Sequence, residues 1–467
     1  MKINFKGAAR TVTGSKHLIT TWSGKNILLD CGLFQGEDAK RKSYNKDLGF
    51  EPSEIDVCIL SHAHIDHSGA IPYLVKQGFK GKIYCTKATL DLCEIMLVDS
   101  AHIQESDMKY INRARIQKEL EPIEPLYTIE DAEKSLLQFV GKDYDEWFEI
   151  DEEIEVCFTV VGHILGAAAV NLKIKENGQV HRLCFTGDIG RKKHQIIKSF
   201  KPFPPADYII CESTYGNRLH DNTEQTINKL LNTVYYTCVE KKGKLIIPAF
   251  SLGRTQEIIY ALDQLETAGK LPKISVYVDS PLSTNATQIL INHPEAYNES
   301  IREYMKTDAN PFGFNGLIYV RDVEISKSIN NSAEPCIIIS ASGMMEAGRV
   351  VHHLKNNLGD KKNTVLIVGY CAPFTLGNRL MQGTEKVKIY GEEIEVKADI
   401  EIITEYSAHG DYEEMIEFLM QQHPSKVKEM YLVHGTYEVQ QEFREKLLEK
   451  GFRNIRIPDE DSEYLID

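Results

Sequence analysis

The sequence lacks the long apolar runs of a membrane protein. No run approaches the roughly 20 residues that cross a bilayer, and MKINFKGAARTV at the start has no signal-peptide core. It also lacks a CxxC pair, although it contains 10 cysteines. These cysteines lie in strand-like runs such as VCIL and LCFTG, which indicates buried, reduced thiols. We therefore expect a cytoplasmic protein that does not contact a membrane and holds no zinc on cysteine.

Positive charge is scarce as well. The chain has 54 Lys and Arg residues against 68 Asp and Glu residues, a formal net charge of −14. A free-standing nucleic-acid-binding protein is usually basic, so this balance argues weakly against that class. An enzyme can still pool its basic residues around one cleft, and the net charge therefore leaves the partner undecided.

The pattern of apolar residues changes along the chain. A length of 467 residues favours two domains. The first part contains short strand-like runs broken by glycine. From about Thr223, helical segments alternate with runs such as KLIIPAF and CIIISAS, which predicts a parallel, doubly wound sheet. The last segment, from IEIITEY onward, again has strand-like runs that end in histidines, so an inserted α/β domain is expected.

The stretch LSHAHIDHSG, residues 60–69, concentrates metal-binding side chains. His62 and His64 are two residues apart at the end of a strand-like run and are expected to point the same way. Asp66 and His67 follow where the chain reverses into a helix. Four ligands divided two and two suit a pair of metal ions better than one tetrahedral site, and zinc accepts both ligand types.

Two metal ions need more ligands than this stretch supplies. Further candidates each end a strand-like run, and an aspartate among them can bridge two ions through its two oxygens. A lone histidine is ordinarily a satisfied core or surface residue, so the clustered motif gives these candidates their weight. The candidates are His163, Asp188, His409 and His434.

Several motifs together resemble a known family. HAHIDH, a later histidine and GD resemble the metallo-β-lactamase superfamily. The full set resembles the β-CASP nucleases, which include the pre-mRNA 3′-end processing endonuclease and its bacterial and archaeal relatives. The resemblance covers nearly the whole chain. The additional motifs are ESTYG (212–216), IPAFSLGRTQE (247–257), SASGMMEAGR (340–349), SAHGD (407–411) and LVHG (432–435).

The resemblance implies an α/β fold, a metallo-β-lactamase αββα sandwich with an inserted Rossmann-like β-CASP domain. The sandwich is expected to comprise residues 1–214 and 401–467, and the insertion residues 215–400. It also implies two zinc ions per chain, with Asp30 bracing the ligand loop. The implied ligands are His62, His64 and His163 for one ion, Asp66, His67 and His434 for the other, and Asp188 as the bridge.

The implied activity is RNA hydrolysis, because a histidine at the His434 position goes with RNA-cleaving members of the family. His409, Glu212 and Asp66 are the implied catalytic residues. A hydroxide shared by two zinc ions is expected to attack phosphorus, with His409 as general acid oriented by Glu212, leaving 5′-phosphate and 3′-hydroxyl ends. The alternatives are a hydrolase of DNA or a small ester, and a non-catalytic RNA-binding scaffold.

RNA contacts are predicted in the insertion. The segment GYCAPFTLGNR departs from the family pattern, and this departure leaves the substrate preference open. The sequence also leaves open whether cleavage is endonucleolytic or 5′-exonucleolytic and whether the protein forms a homodimer. The predicted phosphate or RNA contacts are Ser340, Ser342, Gly343, Arg254 and Arg349, and the departures are Cys371, Pro373, Phe374 and Asn378.

Overall fold

The structure is a computed structural model that describes residues 1–36, 45–220, 223–369, 371, 374–403 and 407–466. The chain forms two compact units. The first unit contains Met1–Leu219 and His409–Asp467, and the second contains His220–Ala408.

The described residues form strands and helices that are numbered here in chain order. The strands are β1 Lys2–Gly7, β2 Lys16–Thr20, β3 Asn26–Leu29, β4 Val57–Ile59, β5 Lys82–Thr86, β6 Phe139–Lys142, β7 Trp147–Glu149, β8 Ile154–Val160, β9 Ala168–Glu176, β10 Gln179–Phe185, β11 Tyr208–Glu212, β12 Lys244–Pro248, β13 Ser275–Val278, β14 Leu317–Tyr319, β15 Cys336–Ser340, β16 Thr364–Ile367, β17 Lys386–Ile389, β18 Glu392–Glu395, β19 Asp399–Ile402, β20 Glu429–Val433, β21 Ile455–Arg456 and β22 Glu463–Leu465. The helices are α1 Ile65–Ser68, α2 Ile71–Lys76, α3 Lys87–Ile116, α4 Ile129–Leu136, α5 Thr223–Val234, α6 Arg254–Thr267, α7 Pro281–Asn292, α8 Glu299–Tyr304, α9 Val323–Asn331, α10 Arg349–Asn357, α11 Leu376–Met381, α12 Tyr412–Leu419 and α13 Tyr437–Glu449.

The first unit is built on two seven-stranded sheets. One has the strand order β22-β1-β2-β3-β4-β5-β6 and the other the order β21-β20-β11-β10-β9-β8-β7. Alternating apolar side chains of both sheets form one buried core, while α3 packs on β5 and β6 and α13 on β20. The predicted αββα sandwich is confirmed. Core residues of the first sheet include Ile3, Phe5, Ile27 and Ile59, and those of the second include Val156, Phe158, Leu172 and Ile210.

The second unit contains a six-stranded sheet of order β14-β13-β15-β12-β16-β19, in which every pair is parallel. The predicted parallel α/β architecture is therefore confirmed. Counted from β12, the strand order is 3-2-4-1-5-6, whereas the usual dinucleotide-binding order is 3-2-1-4-5-6. The insertion thus shares the parallel sheet of Rossmann-like folds, but β15 lies between β13 and β12.

The strand β19 belongs to the second unit, where it pairs with β16. The boundary predicted between residues 400 and 401 falls inside this strand. The boundary predicted between residues 214 and 215 lies a few residues before Leu219, where the first segment of the first unit ends. An apolar run such as IEII shows that a strand forms but not which sheet it joins. We propose that the insertion spans residues 220–408.

Four strands of the first unit's second sheet run in one direction. β8 and β10 are both antiparallel to β9, and β10, β11 and β20 pair in parallel. The residues that follow these four strands therefore lie along one edge of the sheet.

Among the helices that the structure describes, even the 30-residue α3 lacks the apolarity needed to cross a bilayer.

Candidate metal centre

The loop after β4 differs from the prediction in one detail. β4 ends at Ile59, so His62 and His64 follow the strand rather than belong to it, and His64 immediately precedes α1. The carboxylate of Asp30 accepts the backbone N–H of Ser61 at 2.7 Å and thereby holds the start of this loop. The two imidazoles still converge, with 3.2 Å between His62 Nε2 and His64 Nδ1.

The first donor set consists of His62, His64, His163 and one oxygen of Asp188. His163 Nε2 lies 3.2 Å from His64 Nδ1, and Asp188 Oδ2 lies 3.5 Å from His62 Nε2 and 3.4 Å from His163 Nε2. A tetrahedral ion with bonds of about 2.0–2.1 Å separates its ligand atoms by about 3.3 Å. The spacing of this set therefore fits one metal ion.

The second donor set consists of Asp66, His67 and His434. The Nε2 atoms of His67 and His434 are 3.1 Å apart, and His434 Nε2 lies 3.4 Å from Asp66 Oδ2. His434 directly follows β20 and has a left-handed backbone (φ 53°). This conformation turns the chain out of the strand at the residue that completes the set.

Asp188 lies between the two sets. Its Oδ2 faces the first set, and its Oδ1 lies 3.4 Å from His67 Nε2. Oδ1 is buried and accepts no hydrogen bond from the residues that the structure describes. Burial raises the pKa of this carboxyl, but His434, His67 and His62 outweigh burial and hold the pKa well below its usual range. A buried, ionised carboxylate between two histidine clusters, with one oxygen that accepts no hydrogen bond from the described residues, fits a bridge between two divalent cations.

The protonation of three of the histidines agrees with a ligand role. Burial and neighbouring histidines lower the pKa of His62 and His163 well below the usual range, and burial lowers the pKa of His64 to about 4. Neutral imidazole is the form that binds metal. Burial also lowers the pKa of His67, but the carboxylates of Asp188 and Asp30 have the larger effect and raise this pKa well above its usual range. A metal ion at this position must displace a proton.

Hydrogen bonds on the outer ring nitrogens orient the ligands. His67 Nδ1 donates to Asp30 Oδ2 at 2.7 Å, and the role of Asp30 in bracing a metal ligand stays a prediction. Two further braces were missed from the sequence. His62 Nδ1 lies 3.0 Å from Ser61 Oγ, and His434 Nδ1 lies 2.9 Å from Thr214 Oγ1. Ser61 directly precedes the HAHIDH motif, and Thr214 lies within the ESTYG motif. The sequence analysis therefore recognised both motifs without assigning these hydroxyl groups a role.

Two glycines allow backbone segments to meet beneath the ligands. A Cβ at Gly32 would lie 1.6 Å from the carbonyl oxygen of Asp66. A Cβ at Gly190 would lie 1.8 Å from the carbonyl oxygen of Gly162 and 2.3 Å from the amide nitrogen of His163. Any other residue at either position would push a ligand-bearing segment away.

His409 and Glu212 form a pair beside the donor sets. His409 Nδ1 lies 3.2 Å from both carboxylate oxygens of buried Glu212, and the His409 ring centroid is 4.6 Å from that of His163. Burial lowers the pKa of His409, but Glu212, Asp188 and Asp66 raise it to about 9. The pair therefore places a protonated imidazole next to the two candidate donor sets.

Comparisons with known proteins identify the family. Residues 18–220 match the metallo-beta-lactamase superfamily, residues 255–380 the Beta-Casp domain, and residues 393–458 the Zn-dependent metallo-hydrolase RNA specificity domain. The chain is 33% identical over 439 residues to the Thermus thermophilus protein named Ribonuclease TTHA0252, covering 94% of each chain. It belongs to the β-CASP family of the metallo-β-lactamase superfamily.

Other relatives of this β-CASP protein include archaeal and animal proteins. The RNase J-like protein of Methanocaldococcus jannaschii is 32% identical, with 93% of this chain and 92% of the relative covered. Cleavage and polyadenylation specificity factor 73 of Drosophila melanogaster is 30% identical, and the match spans 93% of this chain and 60% of the longer relative. A crystal structure of an Enterococcus faecalis protein of unknown function shares the fold, with a TM-score of 0.52 at 12% identity. Family membership makes this β-CASP protein a metal-dependent hydrolase of a ribonuclease family.

Three of the predicted RNA contacts in the second unit of this β-CASP protein are engaged internally. Buried Ser340 donates its hydroxyl to the carbonyl of Asp279 at 2.8 Å. Arg349 Nη1 pairs with Asp279 at 2.6 Å, and its Nη2 donates to the carbonyl of Arg321 at 2.6 Å. Arg254 pairs with Glu257, and both side chains are buried. These contacts favour structural roles, and we do not propose the three residues as RNA contacts.

The remaining residues of this group form a turn beside the departures from the family pattern. Ser342 donates its backbone N–H to Ala347, and the carbonyl of Gly343 lies 3.7 Å from the sulfur of buried Cys371. Their contact with RNA stays a prediction. Phe374 is exposed, Asn378 donates its side-chain amide to the carbonyl of Cys371 at 3.4 Å, and Pro373 lies outside the described residues.

Proposed function

We propose that this protein is a zinc-dependent ribonuclease that holds two zinc ions per chain and leaves 5′-phosphate and 3′-hydroxyl ends. The observation that carries the proposal is the pair of donor sets that share the two oxygens of Asp188. The proposal for RNA rests on His434 and on the similarity of residues 393–458 to an RNA specificity domain. The relative named Ribonuclease TTHA0252 supports the same substrate.

The donor atoms favour zinc. They are imidazole nitrogens and carboxylate oxygens, without thiolate, which is typical of catalytic zinc sites. Zinc ions bound there would supply a nucleophilic water at neutral pH and positive charge against the phosphate. We assign one ion to His62, His64 and His163 and the other to Asp66, His67 and His434, with Asp188 shared.

The protein's own residues then act on the leaving group. Water releases one of its protons to the solvent and forms a bond to phosphorus as the bond from phosphorus to the 3′ oxygen breaks, and the electron pair stays on that oxygen. His409 carries the proton that this oxygen takes up, because the pKa of about 9 keeps its imidazole protonated at neutral pH. Glu212 fixes the ring by holding Nδ1, which leaves the proton on Nε2 to be given up. The solvent then returns a proton to His409, and the products carry a 5′-phosphate and a 3′-hydroxyl group.

Metal analysis and cleavage assays test the proposal together. Protein purified without chelator is expected to contain close to two zinc ions per chain. It should cleave end-labelled RNA in preference to DNA of the same sequence and to a thioester, and product lengths will separate endonuclease from exonuclease action. His409→Ala should retain zinc and lose cleavage. Protein without metal after gentle purification would overturn the proposal, and preferential cleavage of DNA or of the ester would favour the alternative hydrolase. The cytoplasmic location and the homodimer stay predictions.

A further inference from the structure

The segment directly after Asp188 concentrates positive charge. We call residues 189–201, IGRKKHQIIKSFK, the basic loop. It carries five cationic residues, and no Asp or Glu occurs between Asp188 and Asp207, although the whole chain has a net charge of −14. The cationic residues are Arg191, Lys192, Lys193, Lys198 and Lys201.

The basic loop is held in place by buried side chains. Nδ1 of buried His194 accepts the backbone N–H groups of Ile196 at 3.1 Å and Ile197 at 3.2 Å. Both isoleucine side chains are buried, and the loop ends where Lys201 donates its backbone N–H to Val160 at 3.0 Å. The lysine side chains are therefore presented from a fixed backbone.

The loop lies against the segments that carry the metal ligands. Gly190 forms an isolated β-bridge with His409, and its N–H donates to the carbonyl of Val161 at 2.8 Å. A Cβ at Gly162, the residue before His163, would lie 2.9 Å from the carbonyl oxygen of Lys198. The backbone of the basic loop thus borders both the first donor set and the proposed general acid.

Two of the lysines have no counter-charge among the described residues. Lys192 pairs with Glu417 at 2.5 Å and Lys201 with Asp145 at 3.1 Å. Lys193 is exposed and Lys198 half-buried, and neither makes an ion pair with any residue in the described part of the chain. Unpaired cations attract a nucleic-acid backbone, which releases its own counterions when it binds them.

We propose that Lys193 and Lys198 bind phosphates of the RNA strand that flank the scissile bond. This inference rests on the proposed function, because it takes RNA as the ligand. Contacts to phosphate position a strand without reading its bases. The two lysines therefore add affinity for RNA of any sequence. In this way the chain, although acidic as a whole, presents positive charge to the RNA strand beside the scissile bond.

Binding measured without catalysis tests the proposal. The double variant Lys193→Gln/Lys198→Gln is compared with the full wild-type chain by fluorescence anisotropy of a labelled single-stranded RNA in EDTA across a range of salt concentrations. The slope of log K against log salt should become shallower by about 1.4, about 0.7 for each lost contact, and affinity at low salt should fall roughly tenfold. In cleavage assays with zinc, KM should rise more than kcat falls.

A charge-matched control comes from the region of α3. Lys109 and Lys118 are exposed and make no ion pair with the described residues, and Lys109→Gln/Lys118→Gln removes the same charge. The control should bind RNA within about twofold of the wild type, and both double variants should unfold at the wild-type temperature. An unchanged slope in the loop variant would overturn the inference, and an equal loss in the control would assign the effect to net charge and overturn it too.

The outcomes separate this inference from the proposed function. If the wild-type protein cleaves RNA and the loop variant binds RNA as tightly as the wild type, the inference alone is refuted. If the wild-type protein binds RNA without cleaving it and the loop variant binds RNA more weakly, the proposed function alone is refuted. Wild-type protein that neither binds nor cleaves RNA would refute both.

Discussion

Two buried aspartates, Asp188 in the first unit and Asp279 in the second, have similar neighbours but different contacts. Asp279 is fully buried and accepts hydrogen bonds from His353 Nε2 at 2.6 Å, Arg349 Nη1 at 2.6 Å and the hydroxyl of Ser326. Asp188 is also buried, yet its histidine neighbours lie at 3.4 to 3.9 Å and its Oδ1 accepts no hydrogen bond from the described residues. Short contacts satisfy the charge of Asp279 within the protein. The wider spacing around Asp188 leaves room for cations.

The largest expected effect is therefore at Asp188. Asp188→Asn should lower RNA cleavage at least about a thousandfold, because metal ions supply several kcal/mol of transition-state stabilisation. Elemental analysis should find fewer than two zinc ions per chain. Asp279→Asn is the matched control, and it should keep the wild-type zinc content. Loss of zinc from the Asp279 variant would erase the distinction between the two aspartates.

A second effect separates metal binding from proton transfer. His409→Gln removes the group that we propose to protonate the leaving oxygen, and general acid catalysis is typically worth about 10²–10⁴ in rate. Single-turnover cleavage should slow by that amount while zinc content stays at the wild-type level. A parallel loss of zinc would instead make His409 a ligand.

A smaller effect is expected at a brace of the second donor set. Thr214→Val removes the hydroxyl that lies 2.9 Å from His434 Nδ1. Loss of such an orienting partner typically weakens metal binding about 10–100-fold. Competition with a chromophoric chelator should show one weakened and one unchanged zinc ion, and Thr214→Ser, which keeps the hydroxyl, should restore wild-type binding. Equal weakening of both ions would contradict the assignment.

The smallest effect on activity is expected in the second unit. Arg349→Met breaks the ion pair with Asp279 and should lower the free energy of unfolding by about 2 kcal/mol, because Asp279 keeps His353 and Ser326. Urea titration measures this loss. RNA affinity should stay within about twofold, and a larger drop would return Arg349 to the RNA-binding surface.

Sequence reasoning succeeded where the signal was local. HAHIDH places four donor atoms within six residues, and apolar runs followed by histidine or aspartate indicate strand ends at one edge of a sheet. The parallel sheet of the second unit followed from alternating strand and helix patterns. These features depend on neighbouring residues and on the few layered arrangements that proteins form.

Sequence reasoning failed where the outcome depends on distant contacts. Thr214 meets His434 across 220 residues, and no pattern in ESTYG indicates that pairing. Arg254 and Arg349 begin helices, as phosphate-binding arginines do, and the sequence did not indicate the acidic partner that each has in the fold. The basic loop follows Asp188 in the sequence, but its contacts in the fold, such as the bridge from Gly190 to His409, show that it returns to the site.

The pairing of β11 with β20 has a consequence for how the molecule is made. These neighbouring strands end in Glu212 and Val433, and the whole second unit is encoded between them. His434 therefore leaves the ribosome more than 200 residues after Glu212, and the second donor set stays open throughout that interval. A nascent chain can fold its first strands early, yet its catalytic centre stays incomplete until the whole second unit and His434 have been translated.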